Sequence, residues 1–453
     1  MKKVASVLLK ILLAFISAVV IFLLFAIAPV NRTLPHEQAF YPLMKEEIDR
    51  VLGSEANQTN DTAALQIGFA RVSITPSYPT STAGYVKRKG AKFSSIRDSV
   101  WVRSVMLKRG AQEVAIVSLD MLIVPPVLYR ELERKAEAAG FPISRIYLGA
   151  THTHNSIGNW DDHLVGQIYA GDFDHGLITF LADQIVTAVQ QSKKDLQSGT
   201  LRYGVIPVKE AVNNRVIKGG PVDSLFHALE FNRTDGTKGI FTSFSAHATC
   251  MGASDHRLSR DYPGALVDNL EKKGYDFAIF MAGAVGSHAP GAGMDDADER
   301  IRKMGEVLND AVDDVQWSEV EADLLRFHRL PLLLGQQQIK VLPNWRVREW
   351  LSLPLMGAYT PTLTYLQFGN LVMLGTPCDY SGMLTNTLYQ SAGQRGLHVF
   401  VTSFNGGYIG YVTPDEYYDL VHYETQTMNW YGPGNGGYIQ ECLLRMLEKA
   451  SSP

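Results

Sequence analysis

Ile146-Tyr147-Leu148-Gly149-Ala150-Thr151-His152-Thr153-His154-Asn155 is the stretch on which the reading of this chain turns. Its first five residues are apolar and β-prone, and the polar residues that follow read as the end of a buried strand. In an extended segment, side chains two apart point to the same side. The pattern therefore predicts that His152 and His154 project together from that end. Two imidazoles so placed can share a metal, or divide the work of ligand and general acid/base. The alternative is a pair of polar residues that merely close a strand.

Outward from this stretch, strand-like runs fall at 101–108, 113–119, 145–150, 201–208, 225–232, 238–245, 277–282, 320–327, 363–368, 371–376 and 398–403. Helical patterns lie between them at 125–139, 174–195, 262–273, 296–314, 380–394 and 436–449. This alternation predicts an α/β fold with a mixed sheet. No linker divides residues 65–453, so they read as a single large catalytic domain. Residues 31–64 are polar and turn-rich around Asn57-Gln58-Thr59-Asn60-Asp61, and read as a tether with a short helix near Gln38–Leu52. The net charge of −4 carries no basic field, which speaks against nucleic acid as a partner.

The N-terminus is of another kind. Lys2 and Lys3 precede an apolar stretch from Val4 to Val30 that is uncharged from Ile11 to Pro29. That length approaches the ~20 residues a bilayer-spanning helix needs. Residues 1–30 therefore read as an uncleaved signal anchor and transmembrane helix. The basic flank keeps its N-terminus in the cytoplasm, so the remainder lies outside the cytoplasmic membrane, in the periplasm or extracellular space. A cleaved signal peptide ending at Ala26-Ile27-Ala28 is the rival, with Pro29 poorly placed after such a cut.

Further metal-compatible side chains follow the grammar of the opening stretch. His247 ends the run Gly239–Ala246, and Asp379 follows Leu371–Cys378. In open α/β sheets ligands gather at the carboxyl ends of strands. His152, His247 and Asp379 at three such ends predict a His/His/carboxylate site with an open position for water. Cys250, Cys378 and Cys442 form no disulfide framework. Cys250 and Cys378 read as small buried residues, with an oxidised pair open in an extracytoplasmic compartment. Asp120 reads as a support for a metal histidine or a turn residue, and Asp261 as the same or a helix cap. Trp345, Trp350, Leu351, Leu353 and Leu355 show no periodicity, and read as packing under a loop or as contact with lipid.

A larger pattern joins these pieces. Ile67-Gly68-Phe69-Ala70-Arg71-Val72-Ser73-Ile74-Thr75-Pro76, then Thr151–His154, Ala246–Gly252, Thr376–Asp379, Tyr408–Tyr417 and His422-Tyr423-Glu424 stand in one order. In that order the chain resembles the catalytic domain of neutral/alkaline (non-lysosomal) ceramidases over roughly residues 66–450. The resemblance implies a zinc amidase that cleaves the N-acyl bond of a lipid such as ceramide. It implies Zn2+ ligands at His152, His247, Asp379 and Tyr411, and catalytic roles for His154, Arg215 and Tyr423. Asp379 stands where the family has a glutamate, one methylene longer. In the family's Gly-Asp-Val-Ser-Pro-type loop, Gly286-Ser287-His288-Ala289-Pro290 places Ala289 at the serine position, so the attacking group is expected to be water, with a Ser287/His288 pair the lesser reading. Members of the family usually continue into an additional β-sandwich domain, which is expected to be missing here after Tyr431-Gly432-Pro433. A metal hydrolase acting on another amide or ester, and a non-catalytic membrane-tethered binding protein, are the competing readings. No residue pattern bears on oligomeric state.

Overall fold

Leu371–Thr376 and Phe277–Ala282 are buried from end to end, and Lys238–Phe244 after its first residue. Such runs belong to strands covered on both faces. The computed structural model describes residues 2–53, 63–291, 293–321, 324–357 and 359–450. Its larger sheet orders Phe277–Ala282, Lys238–Phe244, Leu225–Arg233, Gln197–Pro207, Gln66–Ser73, Trp101–Arg109, Gln112–Leu119 and Ile146–Ala150, with Ser318–Val320 paired to Gln197–Pro207. A smaller sheet orders Leu325–Pro331, Thr362–Phe368, Leu371–Thr376 and His398–Ser403. Parallel and antiparallel pairs occur in both, which makes the fold mixed α/β.

The sheets face each other. Ile67, Val105, Ile116 and Phe241 of the larger sheet share one apolar cluster with Leu366, Phe368, Met373 and Phe400 of the smaller. Helices close the outer faces. Pro126–Ala138 and His175–Lys194 pack on one half of the larger sheet, and Asp261–Lys273 with Ala297–Ala311 on the other. Phe40–Gly53, Thr385–Gln394 and Asn435–Glu448 cover the smaller sheet. The result is helix, sheet, sheet, helix.

Parts of the organisation differ from the sequence-based expectation. The run at 320–327 is split, because Ser318–Val320 and Leu325–Pro331 belong to different sheets. The short helix expected near Gln38–Leu52 within the 31–64 tether is present as Phe40–Gly53, but it packs on the domain. Met44, Ile48 and Leu52, spaced by four, bury one face of Phe40–Gly53 against the smaller sheet and the helix Asn435–Glu448. The turn-rich Asn57–Asp61 lies outside the described residues.

The N-terminal helix Lys2–Ala26 is exposed along nearly its whole length, and Lys3–Ala26 is long and apolar enough to cross a membrane. It runs straight into the strand Ile27–Pro29, which pairs with Trp345–Val347, and that strand in turn with Lys340–Leu342. The aperiodic 345–355 segment thus becomes a strand and the helix Glu349–Met356.

Two substitutions separate a packed helix from a tether. Ile48→Ala should cost ~2–5 kcal/mol, the usual loss for a buried aliphatic side chain. Leu43→Ala, at a half-exposed position of the same helix, should stay within ~0.5 kcal/mol. Chemical denaturation of the two variants checks this; indistinguishable curves would show that the segment contributes nothing to the domain.

Candidate metal centre and active site

Strands from both sheets end at one place. His152 lies two residues after Ile146–Ala150, His247 three after Lys238–Phe244, and Asp379 three after Leu371–Thr376. Phe404 directly follows His398–Ser403, and its ring stacks on His152 at 4.1 Å. The two histidines of the opening stretch do converge, but not by strand alternation. His152 adopts a left-handed backbone with φ of 62°. The chain turns there, and the turn brings His154 Nε2 to 3.2 Å from His152 Nε2.

Each imidazole is oriented by a backbone carbonyl. His152 Nδ1 lies 2.7 Å from the Leu122 carbonyl, His247 Nδ1 2.7 Å from that of Val285, and His154 Nδ1 2.9 Å from that of Gly84. A carbonyl only accepts, so each Nδ1 carries the hydrogen and each Nε2 presents a lone pair. Gly84 has φ of 108°, and a Cβ there would stand 2.8 Å from His154, so the close approach requires glycine.

The inward-facing lone pairs meet a carboxylate. Asp379 Oδ1 lies 3.3 Å from His152 Nε2 and 3.2 Å from His247 Nε2. Because those nitrogens carry no hydrogen, Oδ1 is a fully buried acceptor without a donor. Asp379 Oδ2 accepts a 2.6 Å hydrogen bond from the Tyr408 hydroxyl. The Tyr411 hydroxyl lies 3.0 Å from His247 Nε2. An anion and several nitrogen lone pairs turned toward one another repel unless a cation lies among them. The donor set of imidazoles, carboxylate and phenol suits zinc. Among the described residues, the ligand atoms of His152, His154 and His247 lie within 4.8 Å of one another.

Arg215 closes the site on one side. Its guanidinium donates to the Tyr411 hydroxyl at 3.2 Å and to Glu424 Oε1 at 2.6 Å, and comes within 2.8 Å of His247 Nε2. Burial alone would lower its pKa; the Glu424 carboxylate, with Tyr411 and Tyr423, more than offsets this and raises it, so Arg215 stays charged. Burial, and then His152 and His247, push the His154 pKa well down, leaving it neutral at pH 7. Tyr423, 44% exposed, marks the open side, its hydroxyl 3.5 Å from Glu424 Oε1.

All seven residues singled out in the sequence therefore meet. Tyr408 and Glu424 stood in the same motifs without an assigned role. Glu424 is fully buried, pairs with Arg215, and accepts the Ser287 N–H at 2.9 Å through Oε2. The other candidates do different work. Ser287 Oγ lies 2.8 Å from Ser381 Oγ, while His288 Nδ1 bonds the Ser245 carbonyl, so they form no Ser/His pair. Asp120 accepts from the Trp101 N–H and supports no histidine. Asp261 accepts from the Cys250 and Met251 N–H groups and so braces the loop after His247. Cys250 and Cys378 are free, buried in different apolar clusters.

An apolar cavity of about 300 Å³ adjoins the centre. Trp160, Tyr169, Ile339, Met356, Tyr408 and Trp430 are among its walls. Tyr408 joins the two, its ring in the cavity wall and its hydroxyl on Asp379.

A mixed α/β fold with a histidine–carboxylate cluster at its strand ends is the class that the structure defines. Residues 65–278, just under half of the chain, match the family described as neutral/alkaline non-lysosomal ceramidase, N-terminal. The neutral ceramidase of Pseudomonas aeruginosa is 25% identical over 190 residues, which is 38% of this chain and 28% of that relative's length. The crystal structure of neutral ceramidase from Pseudomonas aeruginosa superposes with a TM-score of 0.71 over 87% of this chain and 77% of that one. At 18% identity this likeness speaks to the fold alone. A tRNA uridine 5-carboxymethylaminomethyl modification enzyme (MnmG) of Porphyromonas gingivalis is 34% identical over 95 residues, but this spans 19% of the present chain and 15% of that enzyme, too little to carry a fold.

Tyr408→Phe keeps the ring and removes one hydrogen bond. Loss of a group that supports a metal ligand typically costs 10–100-fold in affinity, so divalent-metal binding should weaken by about that factor. Competition with a chelator measures it; unchanged affinity would detach Tyr408 from the centre.

Proposed function

We propose that the protein is a zinc-dependent amidohydrolase that cleaves the N-acyl bond of ceramide or a related N-acyl lipid. The observation that carries this reading is the donorless Asp379 Oδ1 facing the lone pairs of His152 and His247. In this reading His152, His247, Asp379 and Tyr411 hold the metal. Zinc bound there lowers the pKa of a water to about 7 and polarises a carbonyl.

The remaining residues divide the work on the amide. His154, neutral and beside the ligand cluster, takes a proton during attack and returns one to the leaving amine. Tyr423, with its exposed edge at the open side, donates to the carbonyl oxygen as negative charge develops. Arg215, anchored by Glu424, holds the Tyr411 hydroxyl and favours negative charge beside it. The fully buried Ser287 is spent on Ser381 and takes no part in attack. The apolar cavity beside Tyr408 accepts a hydrocarbon chain.

One observation favours a second ligand set. His154 Nε2 is as near to His152 as Asp379 is, which would suit three histidines and a carboxylate without Tyr411. Variants separate the two. His152→Ala and His247→Ala should lose tight zinc. His154→Ala and Tyr423→Phe should keep it and lose ~10²–10³ in kcat, the usual cost of one oxyanion donor or proton relay. Ser287→Ala should stay near wild type. The checks are elemental analysis and acyl release from N-acyl lipids. Zinc lost with His154→Ala would make it a ligand, and an acyl-enzyme on Ser287 would overturn attack by water. Zinc without any acyl release would leave a binding protein.

The topology proposed with this activity is an uncleaved anchor whose N-terminus is cytoplasmic and whose catalytic domain is extracytoplasmic. The pairing of Ile27, Ala28 and Pro29 with Val347, Arg346 and Trp345 supports it, because a cut after Ala28 would remove two of the three paired residues. Mass mapping of the purified chain should find residues 2–26 retained; a chain beginning near residue 29 would show a cleaved signal.

A further inference from the structure

We propose that the sheet formed by Ile27–Pro29, Trp345–Val347 and Lys340–Leu342, with the helices Glu349–Met356 and Leu164–Ala170, is a seat that rests in the bilayer surface and opens the apolar cavity toward the lipid. The inference rests on the membrane reading of Lys2–Ala26 and extends it from an anchor to a lipid-contacting face of the catalytic domain.

The geometry leaves that face little freedom. The 25 helical residues span ~37 Å at 1.5 Å each, against a hydrocarbon core of ~30 Å. The helix end at Ala26 therefore lies at the headgroup level. No loop intervenes before Ile27 enters the sheet. Neighbouring strands lie ~4.8 Å apart, so Lys340–Leu342 sits within ~10 Å of the emerging chain. The junction is also capped. The Arg348 N–H donates to the Ala26 carbonyl, Arg348 Nε to that of Ile27, and the Trp350 indole to that of Phe25. These donors satisfy carbonyls that a helix end leaves orphaned, and an indole at this depth is the usual interfacial residue.

The surface chemistry agrees. Leu164, Ile168, Val341, Leu342, Trp345 and Trp350 are each about half exposed. Val341 lines the cavity itself, and the other five stand on elements that also supply its walls: Val165 and Tyr169, Lys340 and Val341, Val347, Leu355 and Met356. The exposed apolar residues beside the cavity and the end of the membrane helix thus lie on one surface, joined by the strand Ile27–Pro29. A water-soluble partner protein would not explain why that surface is joined to a bilayer-spanning helix; a lipid surface does.

The same sheet reaches the metal centre. Lys340, buried, donates through Nζ to the Tyr418 and Thr425 carbonyls at 3.0 Å each. Those residues bracket Tyr423 and Glu424. Seating the sheet on lipid therefore also fixes the loop that carries the exposed tyrosine of the site.

The experiment uses the full chain in phosphatidylcholine vesicles, with and without phosphatidylcholine brominated along its acyl chains. The six tryptophans all lie outside the N-terminal helix, so quenching by bromine reports only on the domain. Quenching should appear in the wild type and largely vanish in the Trp345→Phe/Trp350→Phe double variant. No quenching in vesicles that demonstrably retain the helix, or equal quenching in the double variant, would overturn the seat. A second arm uses Leu342→Asp and Ile168→Asp, neither of which lines the cavity. Hydrolysis of an N-acyl lipid embedded in the vesicle should fall roughly tenfold or more, while a short-chain soluble analogue is cleaved as before. Equal losses on both substrates would count against the seat. A wild type inert toward both would refute the proposed activity, and the quenching would still decide the seat.

Discussion

The constraint on which the rest depends is the burial of one carboxylate against imidazole lone pairs. Asp379 Oδ1 has no donor, and His152 and His247 face it with unprotonated nitrogens. Left alone, that arrangement costs several kcal/mol for an uncompensated buried charge. It is tolerated where a cation completes it, and the surrounding structure is organised to hold it in place. Three backbone carbonyls set the tautomers, Tyr408 takes the second carboxylate oxygen, and Phe404 stacks on His152.

The fold supplies this precision because strands from both sheets end at one level. Each strand is stiffened by cover on both faces, so its end is a firm point from which a short loop can present one side chain. Residues from opposite sheets then meet without a long flexible arm. The price is a set of backbone conformations that L-residues rarely adopt, at His152, Ser287 and Phe404. Such conformations persist only where the surroundings over-determine them. All three stand in the loops that form the centre.

The face beside the N-terminal helix is organised differently. It depends on pairing between residues more than three hundred positions apart, as Ile27 with Val347 shows. That pairing joins the helix end, the cavity rim and, through Lys340, the Tyr423 loop into one connected unit. A flexible tether would allow the catalytic domain to sample many orientations above a membrane. A paired strand fixes the domain relative to the helix end, and in the proposed seat the apolar rim then faces the lipid.

Much of this was legible in the sequence. Short apolar runs between turn residues located most strands, and amphipathic spacing located the helices, because both signals are local. The uncharged N-terminal stretch, the two histidine motifs and Asp379 were visible for the same reason: each lies within or just beyond a run whose period declares it. Other features were set only by the tertiary structure. The convergence of His152 and His154 arises from a left-handed turn that a strand alternation rule cannot foresee. The carbonyls of Leu122, Val285 and Gly84 have no sequence signature, since every residue carries one. Glu424 and Tyr408 were two polar residues among several until Arg215 and Asp379 were placed against them. The helix Phe40–Gly53 reads in the sequence as part of a tether because its surroundings are polar and turn-rich, and only the smaller sheet shows what its apolar face covers. Local periodicity is written in neighbouring residues; partners hundreds of positions apart are chosen by packing, and the chemistry of this centre is made almost wholly of such partners.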